Sequence, residues 1–169
     1  MISSQSLSDI LEFVDDSLAK TCLDIGCGTG QLTRELNHRG YKCVGIDVSQ
    51  TAVQLARSLT VRTGELNYRQ FNIETDNLDN LPSQPYSLIT CKLVYVFMKN
   101  RARFLELVDK MLVQGGVFAV ITPVYRQDTD ATPISVNFDL TFRELKSKFK
   151  TVTIFEETGD MVTFVCRKG

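Results

Sequence analysis

The segment 23–30, which reads LDIGCGTG, is the part of the sequence best suited to bind a ligand. Its three glycines, Gly26, Gly28 and Gly30, leave the backbone bare, so a ligand can lie directly against it. Asp24 stands two residues before the first glycine and adds a carboxylate. Two classes of nucleotide ligand use loops of this kind, and the spacing of the glycines discriminates between them.

Dinucleotides such as NAD are bound through the pattern GxGxxG, whose third glycine is the sixth residue. Here the sixth residue is Gln31, and Gly30 comes one place early. The Asp24 carboxylate would also repel a pyrophosphate. S-adenosylmethionine carries no phosphate, and its amino-acid end has an ammonium group that a nearby carboxylate favours. The loop therefore favours S-adenosylmethionine over a dinucleotide.

Alternating helices and strands must position this loop. The hydrophobic pattern predicts helices over 6–18, 31–39, 51–62, 101–112 and 139–149, and strands over 21–25, 42–46, 66–71, 86–91, 117–122, 151–155 and 161–166. Such alternation predicts an α/β fold, a three-layer sandwich with a mostly parallel seven-stranded sheet and helices on both faces. The last two strands are joined too tightly for a parallel crossover, so the last strand is predicted to be antiparallel. We expect one domain over 1–169.

Two motifs carry a resemblance to a known family. From about residue 21 to its end, the chain resembles the class I S-adenosylmethionine-dependent methyltransferases, whose first motif is similar to LDIGCGTG between a strand and a helix. Their second motif is similar to VGIDVS, which places Asp47 at the end of the second strand. The resemblance implies a Rossmann-like core over 21–169 behind an N-terminal helix within 1–20. The segment KLVYVFM and the later NFDLTFRELKSKF are weakly similar to tellurite-resistance-type and thiopurine-type members.

The resemblance also implies which residues hold the cofactor. Asp47 would accept hydrogen bonds from both ribose hydroxyls, and Asn72 from the adenine amino group. Asn72 departs from the acid usual there, and the alternative is that it only caps a turn. Cys91 is expected to be a cofactor wall or a core residue rather than a nucleophile. The predicted cofactor site comprises Asp24, Gly26, Cys27, Gly28, Gly30, Asp47, Val48, Asn72, Ile73, Cys91 and Leu93.

The acceptor site should border the loops after the fourth and fifth strands. The candidates for its wall are Lys92, Tyr95, Tyr125 and Arg126, and no catalytic residue is assigned. The alternative for Tyr95 is that 94–98 forms a short helix packed on the sheet. His38 is the only histidine and is expected at the remote end of its helix. Without an evident base, alignment and desolvation of a nucleophilic acceptor must supply most of the acceleration.

Composition excludes several other classes of protein. The net charge is −1, which disfavours a dedicated nucleic-acid binder. The five cysteines show no zinc spacing, so no metal is expected, and free thiols favour a cytoplasmic location. The sequence predicts no signal peptide and no membrane span.

The function that the resemblance implies is methyl transfer to a small molecule. A cofactor-binding module without turnover and an RNA- or protein-directed enzyme remain alternatives, and a partner chain or second domain could supply a lid.

Overall fold

The computed structural model describes residues 4–61, 65–82 and 85–169. Its five helices are α1 (Ser4–Leu11), α2 (Gln31–His38), α3 (Gln50–Ser58), α4 (Arg101–Met111) and α5 (Phe138–Lys148). Its eight strands are β1 (Thr21–Ile25), β2 (Lys42–Asp47), β3 (Leu66–Gln70), β4 (Tyr86–Lys92), β5 (Leu112–Tyr125), β6 (Val136–Asn137), β7 (Thr151–Glu156) and β8 (Met161–Arg167). No helix in these ranges is long and apolar enough to cross a membrane.

The strands form one sheet in the order β3-β2-β1-β4-β5-β8-β7, and the short β6 pairs with β5 beside this path. Strands β1 to β5 pair in parallel, whereas β8 is antiparallel to both β5 and β7. The predicted α/β sandwich with an antiparallel last strand is confirmed, and the two-residue β6 raises the strand count from seven to eight. Because β1 lies between β2 and β4, the topological switch point falls between β1 and β4.

The residues of β1 alternate between the two faces of the sheet. Leu23 and Ile25 belong to a core that also contains Phe104 of α4 and Leu145 of α5. Cys22 points to the other face, into a core with side chains of α1 and α2. Helix α3 packs through Val53 and Ala56 against Cys27 and Tyr68. Helices therefore cover both faces, as the sequence predicts.

Several predicted boundaries were wrong. Helix α1 ends at Leu11 rather than at residue 18, and Asp15 then forms a turn by accepting hydrogen bonds from Ser17. Strand β5 extends from Leu112 to Tyr125, beyond the predicted range 117–122 at both ends. Gly115 has a φ of 73°, and the pairing with β4 shifts register between Tyr86 and Leu88. The strand therefore contains an irregularity near Gly115 and continues through it. The third helix ends at Ser58, before the predicted end at 62, and residue 62 itself lies outside the described residues.

Candidate cofactor site

The glycine loop follows β1 directly, and each glycine meets a different constraint. Gly26, Gly28 and Gly30 have φ values of 72°, 53° and 79°, in the left-handed region that glycine adopts without strain. A Cβ on Gly26 would come within 2.5 Å of Cγ1 of Val94, and one on Gly30 would collide with the Tyr68 hydroxyl group. A Cβ on Gly28 would meet nothing within 4 Å. The first and third glycines thus allow close packing, whereas the second leaves open space above the loop.

Asp47, at the end of β2, is hydrogen-bonded to this loop. Its Oδ2 accepts the backbone N–H of Gly28 at 2.9 Å, and its Oδ1 accepts the backbone N–H of Ser49 at 2.8 Å. Each carboxylate oxygen has further lone pairs for a ligand. The two bonds fix the carboxylate beside the bare backbone of the loop, the position that the second sequence motif assigned to ribose recognition.

Asp24 lies beneath the loop rather than on its ligand side. Its side chain is 2% exposed, Oδ2 accepts from the Thr33 hydroxyl at 2.6 Å, and Oδ1 accepts from the Thr90 hydroxyl at 2.8 Å. Burial raises the pKa of this carboxyl group above its ordinary value, although both hydroxyl bonds oppose the rise. Thr33 belongs to α2 and Thr90 to β4, so Asp24 connects α2 to the switch point. Its predicted role, a carboxylate near the cofactor's ammonium group, stays a prediction, and the structure shows Asp24 supporting the loop from below.

A cavity of about 300 Å³ opens at the carboxyl ends of β1, β2 and β3. Five of the predicted cofactor residues line it, and the segment after β4 closes the opposite side. Its walls are mostly apolar, with Asp47 and Asn72 among the few polar groups. The lining residues are Ile25, Gly26, Ile46, Asp47, Val48, Phe71, Asn72, Ile73, Glu74, Val94, Phe97, Met98 and Lys99.

Asn72 both lines the cavity and caps a turn. Its Oδ1 accepts the N–H of Glu74 at 3.0 Å, and the residue also lines the cavity, so the cap is present and the adenine contact stays a prediction. Glu74 was missed at the sequence level. Its Oε1 accepts the N–H groups of Lys99 and Asn100 at 3.0 and 3.1 Å, which holds the loop after β3 against the start of α4. A contact across 25 residues between two loops leaves no periodic signal in the sequence.

Tyr95, a candidate for the acceptor wall, has its side chain in the core of the α4 side. Residues 95–97 form a single 3₁₀ turn, and the Tyr95 side chain is fully buried. Its hydroxyl donates to Oε2 of Glu144 at 3.0 Å, and the Arg101 guanidinium lies 5.1 Å from the ring centre and 3.6 Å from the same carboxylate oxygen. Burial and then the Glu144 carboxylate raise the pKa of Tyr95 above its ordinary value. This side chain holds the turn onto α4 and α5.

Cys27, Cys91 and Leu93 have three different surroundings. Cys91 is fully buried in the core on the α4 side, and burial raises the pKa of its thiol. Cys27 is buried against α3 and also has a raised pKa. Leu93 is 43% exposed and has a φ of 62°, the one left-handed non-glycine residue in the described chain. Such backbone conformations concentrate at functional sites. None of the three side chains lines the cavity.

The remaining acceptor-site candidates lie at the ends of β4 and β5 or directly after β5. Lys92 ends β4 and is partly exposed, and Tyr125 ends β5 and pairs with Asn137. The Arg126 guanidinium has two partners in the described residues. It donates a hydrogen bond to Oε1 of Glu156 at 2.6 Å and lies 4.4 Å from the Phe138 ring centre. His38 ends α2 at the opposite edge of the sheet. The described residues contain no cluster of side chains that could hold a metal ion.

The chain has an open α/β sheet with a glycine loop after β1 and the fixed carboxylate of Asp47 at the end of β2. An apolar cavity lies beside both. This combination defines a Rossmann-like nucleoside-binding fold. Residues 23–120, more than half of the chain, match the family model described as a methyltransferase domain. The chain belongs to the class I S-adenosylmethionine-dependent methyltransferases.

Similar proteins agree with this membership. The ubiquinone biosynthesis O-methyltransferase of Marinobacter nauticus is 31% identical over 116 residues, which cover 66% of this chain and 49% of the relative. A putative S-adenosylmethionine-dependent methyltransferase from Listeria monocytogenes has a similar fold, with a TM-score of 0.74 at 16% identity over 96% of this chain and 97% of that one. The plantazolicin methyltransferase BpumL, solved with S-adenosylhomocysteine, has a TM-score of 0.70 at 15% identity over 88% and 77%. The chain spans about half the length of the curated relatives that it matches.

Proposed function

We propose that this chain transfers a methyl group from S-adenosylmethionine to a small-molecule acceptor. The observation that carries the proposal is the hydrogen bond between the Gly28 N–H and Asp47, whose side chain belongs to the lining of the apolar cavity. It fixes an acceptor of hydroxyl protons beside a loop whose central glycine faces open space. A nucleoside suits this arrangement, because its sugar hydroxyls can donate to the Asp47 carboxylate and the apolar faces of its base can lie in the apolar cavity.

The residues around the cavity suit the adenosine part of this cofactor. Asp47 is proposed to accept from the ribose hydroxyls, and Val48 and Ile73 to contact the adenine faces. Asn72 has a carbonyl oxygen with a second lone pair for the adenine amino group, besides the one that accepts from Glu74. A phosphate in the same place would meet the Asp47 carboxylate, which argues against a dinucleotide.

The cofactor supplies an electrophilic methyl group on a sulfonium with a good leaving group. The chain's own contribution is to align the acceptor and exclude water, because none of the candidate side chains provides a general base. Tyr95 is bound to Glu144, Cys91 is buried, and His38 lies at the opposite edge of the sheet. The acceptor must therefore ionise by itself or lose its proton to water.

The acceptor is proposed to have an apolar body. Leu93 and Phe97, in the loop after β4, are 43% and 59% exposed, and Phe97 also lines the cavity, so this loop offers apolar side chains to an acceptor. The Marinobacter nauticus relative is named an O-methyltransferase, which makes a hydroxylated aromatic compound the first acceptor class to test. Thiols and metalloid oxyanions form the second, since soft nucleophiles need no base.

Further features of the working protein follow from the same reasoning. We propose that it works in the cytoplasm as one domain over 1–169, because the cysteines are free and buried. The exposed segment 126–134, or a partner chain, is proposed to cover Leu93 and Phe97 during turnover. Lys146 and Lys148 lie exposed on α5, away from the cavity, which supports a small molecule over a nucleic acid as the acceptor.

The test has two stages. A thermal-shift titration with S-adenosylmethionine, S-adenosylhomocysteine and NAD should show stabilisation by the first two alone, because a ligand of the folded state raises the unfolding midpoint. Transfer of a labelled methyl group to phenols, thiols and metalloid oxyanions should then identify the acceptor class. Cofactor binding without transfer to any acceptor would favour a binding module, and stabilisation by NAD alone would contradict the proposal.

A further inference from the structure

Glu74 is a half-buried side chain that joins two walls of the cavity. It lines the cavity beside Asn72 and Ile73, in the loop after β3, whereas Lys99 belongs to the segment after β4 that closes the opposite side. Its Oε1 accepts the backbone N–H groups of Lys99 and Asn100 at 3.0 and 3.1 Å. The two walls are therefore hydrogen-bonded to each other through one carboxylate oxygen.

The turn that carries Glu74 is held by its own hydrogen bonds. The Asn72 side chain accepts the Glu74 N–H at 3.0 Å, and the Asp76 side chain accepts the Asn72 N–H at 2.9 Å. The Asn72 carbonyl oxygen also accepts the N–H groups of Thr75 and Asp76 at 3.2 and 2.9 Å. Glu74 consequently extends from a fixed support, to which Asn72, the residue proposed to bind adenine, also belongs.

The wall after β4 is the one that depends on Glu74. Phe97 of this wall lines the cavity and is 59% exposed. Tyr95, two residues earlier, is anchored in the core by its buried ring. On the other side of Phe97, the Lys99 and Asn100 side chains are exposed, and their backbone N–H groups are bonded to Glu74. Without this carboxylate, water can take its place at both N–H groups, and the wall would lose these bonds to the loop after β3.

We propose that Glu74 is a positioning residue for the cofactor, an inference that rests on the proposed function. Its carboxylate needs no contact with the ligand, because it acts by holding Phe97 at a fixed distance from Asn72 and Ile73. A wall that is ordered before binding spares the ligand the cost of ordering it. Loss of the two hydrogen bonds should therefore weaken cofactor binding about tenfold in Kd.

Two variants of Glu74 separate positioning from direct contact with the ligand. Glu74→Ala removes the acceptor of both N–H groups, whereas Glu74→Gln keeps an amide oxygen that can accept them. Asn137→Ala is the matched control, because it removes a side-chain bond to a backbone N–H at the start of α5, outside the cavity lining. Calorimetric titration with S-adenosylhomocysteine measures the affinity. Amide hydrogen exchange, followed by NMR at Lys99 and Asn100, reports on the bonds themselves, and urea unfolding shows whether each variant folds.

We expect Glu74→Ala to bind S-adenosylhomocysteine about tenfold more weakly than the wild type, with faster exchange of both amide protons. Glu74→Gln should restore most of the affinity and most of the protection. Asn137→Ala should lose stability, because it lacks a helix cap, and should change neither the affinity nor the exchange at these two amides.

Other outcomes contradict the proposal in distinguishable ways. Unchanged affinity of Glu74→Ala overturns it, even with faster exchange, because the two bonds would then have no effect on binding. Equal loss of affinity in Glu74→Ala and Glu74→Gln, with protected amides in Glu74→Gln, also overturns it, because the charge would then act on the ligand directly. An equal loss in Asn137→Ala would overturn it as an effect of general destabilisation. If the wild type does not bind S-adenosylhomocysteine, the proposed function itself fails.

Discussion

The backbone N–H of Gly28 donates a 2.9 Å hydrogen bond to Oδ2 of Asp47, which joins the loop after β1 to the end of β2. These two residues are the centres of the two sequence motifs, and they come together because β1 and β2 are adjacent parallel strands in register. The parallel pairing places both carboxyl ends at one edge of the sheet. The geometry of the candidate cofactor site is therefore a direct consequence of the strand order.

Replacement of Asp47 by asparagine should weaken S-adenosylhomocysteine binding by about 1.5–3 kcal/mol, the range for hydrogen bonds to a charged group. The amide side chain would keep one carbonyl oxygen but lose the charge and one acceptor for the ribose hydroxyls. Calorimetric titration measures the change, with Asp79→Asn in the exposed turn 78–80 as the matched control. A loss below about 0.3 kcal/mol would contradict the ribose assignment, because even one neutral hydrogen bond contributes more than that.

Gly28 and Gly40 form a matched pair for testing the open space above the loop. Both have positive φ values, 53° and 89°, and a Cβ on either meets nothing within 4 Å. Replacement by Ala should lower the free energy of unfolding by about 1 kcal/mol at each position, because both require a left-handed backbone. Only Gly28→Ala should also weaken cofactor binding, by at least about tenfold in Kd. Equal affinities of the two variants would show that the loop does not contact the ligand.

The buried Asp24 predicts an unusual dependence of stability on pH. Its pKa in the folded protein is raised above the ordinary 3.8, so the folded state holds the Asp24 proton to higher pH than the unfolded state does. The stabilisation from that proton is complete below the unfolded pKa and is lost as the pH rises through the folded pKa. The amide in an Asp24→Asn variant does not titrate. Hence the free energy of unfolding of the wild type, relative to Asp24→Asn, should increase as the pH falls from about 7 toward about 4.

Urea unfolding of both proteins at several pH values in this interval checks the expectation. The difference between the two proteins matters, because the other carboxyl groups titrate in both and cancel. A difference that stays constant, or that moves in favour of Asp24→Asn on acidification, would show that burial does not dominate the ionisation of Asp24.

Tyr95→Phe should leave cofactor binding unchanged and lower the free energy of unfolding by about 1 kcal/mol. The substitution removes one hydrogen bond to Glu144 while Arg101 remains beside that carboxylate. Urea unfolding and calorimetric titration with S-adenosylhomocysteine measure the two effects separately. A raised KM for an identified acceptor, with unchanged stability, would return Tyr95 to the acceptor wall.

The five buried cysteines should be unreactive in the folded protein. Burial raises the pKa of Cys22, Cys27, Cys91 and Cys166, and the thiolate is the reactive form. Mass spectrometry after iodoacetamide treatment at about pH 8 should show slow modification of the native protein and fast modification in urea. Rapid native alkylation at Cys91 would instead support a nucleophilic role for that thiol.

The sheet and the centre of the site could be predicted from the sequence because both depend on local patterns. Alternating apolar runs indicated the strands, and the glycines with Asp47 stand immediately after two of them. Tyr95 could not be assigned, because an apolar segment does not show which side chains a 3₁₀ turn directs inward. Its partner Glu144 is 49 residues away, and the partners of Asp24 lie 9 and 66 residues away. Such pairings follow from packing and have no periodic signature.

The most direct test of the central claim is a crystal structure of the protein grown with S-adenosylhomocysteine. We predict the purine in the cavity between Val48 and Ile73, and the ribose hydroxyls within hydrogen-bonding distance of Asp47. The ligand should also lie against the backbone of Gly28. A ligand bound elsewhere, or an empty cavity at saturating S-adenosylhomocysteine, would contradict the assignment of this edge of the sheet as the cofactor site.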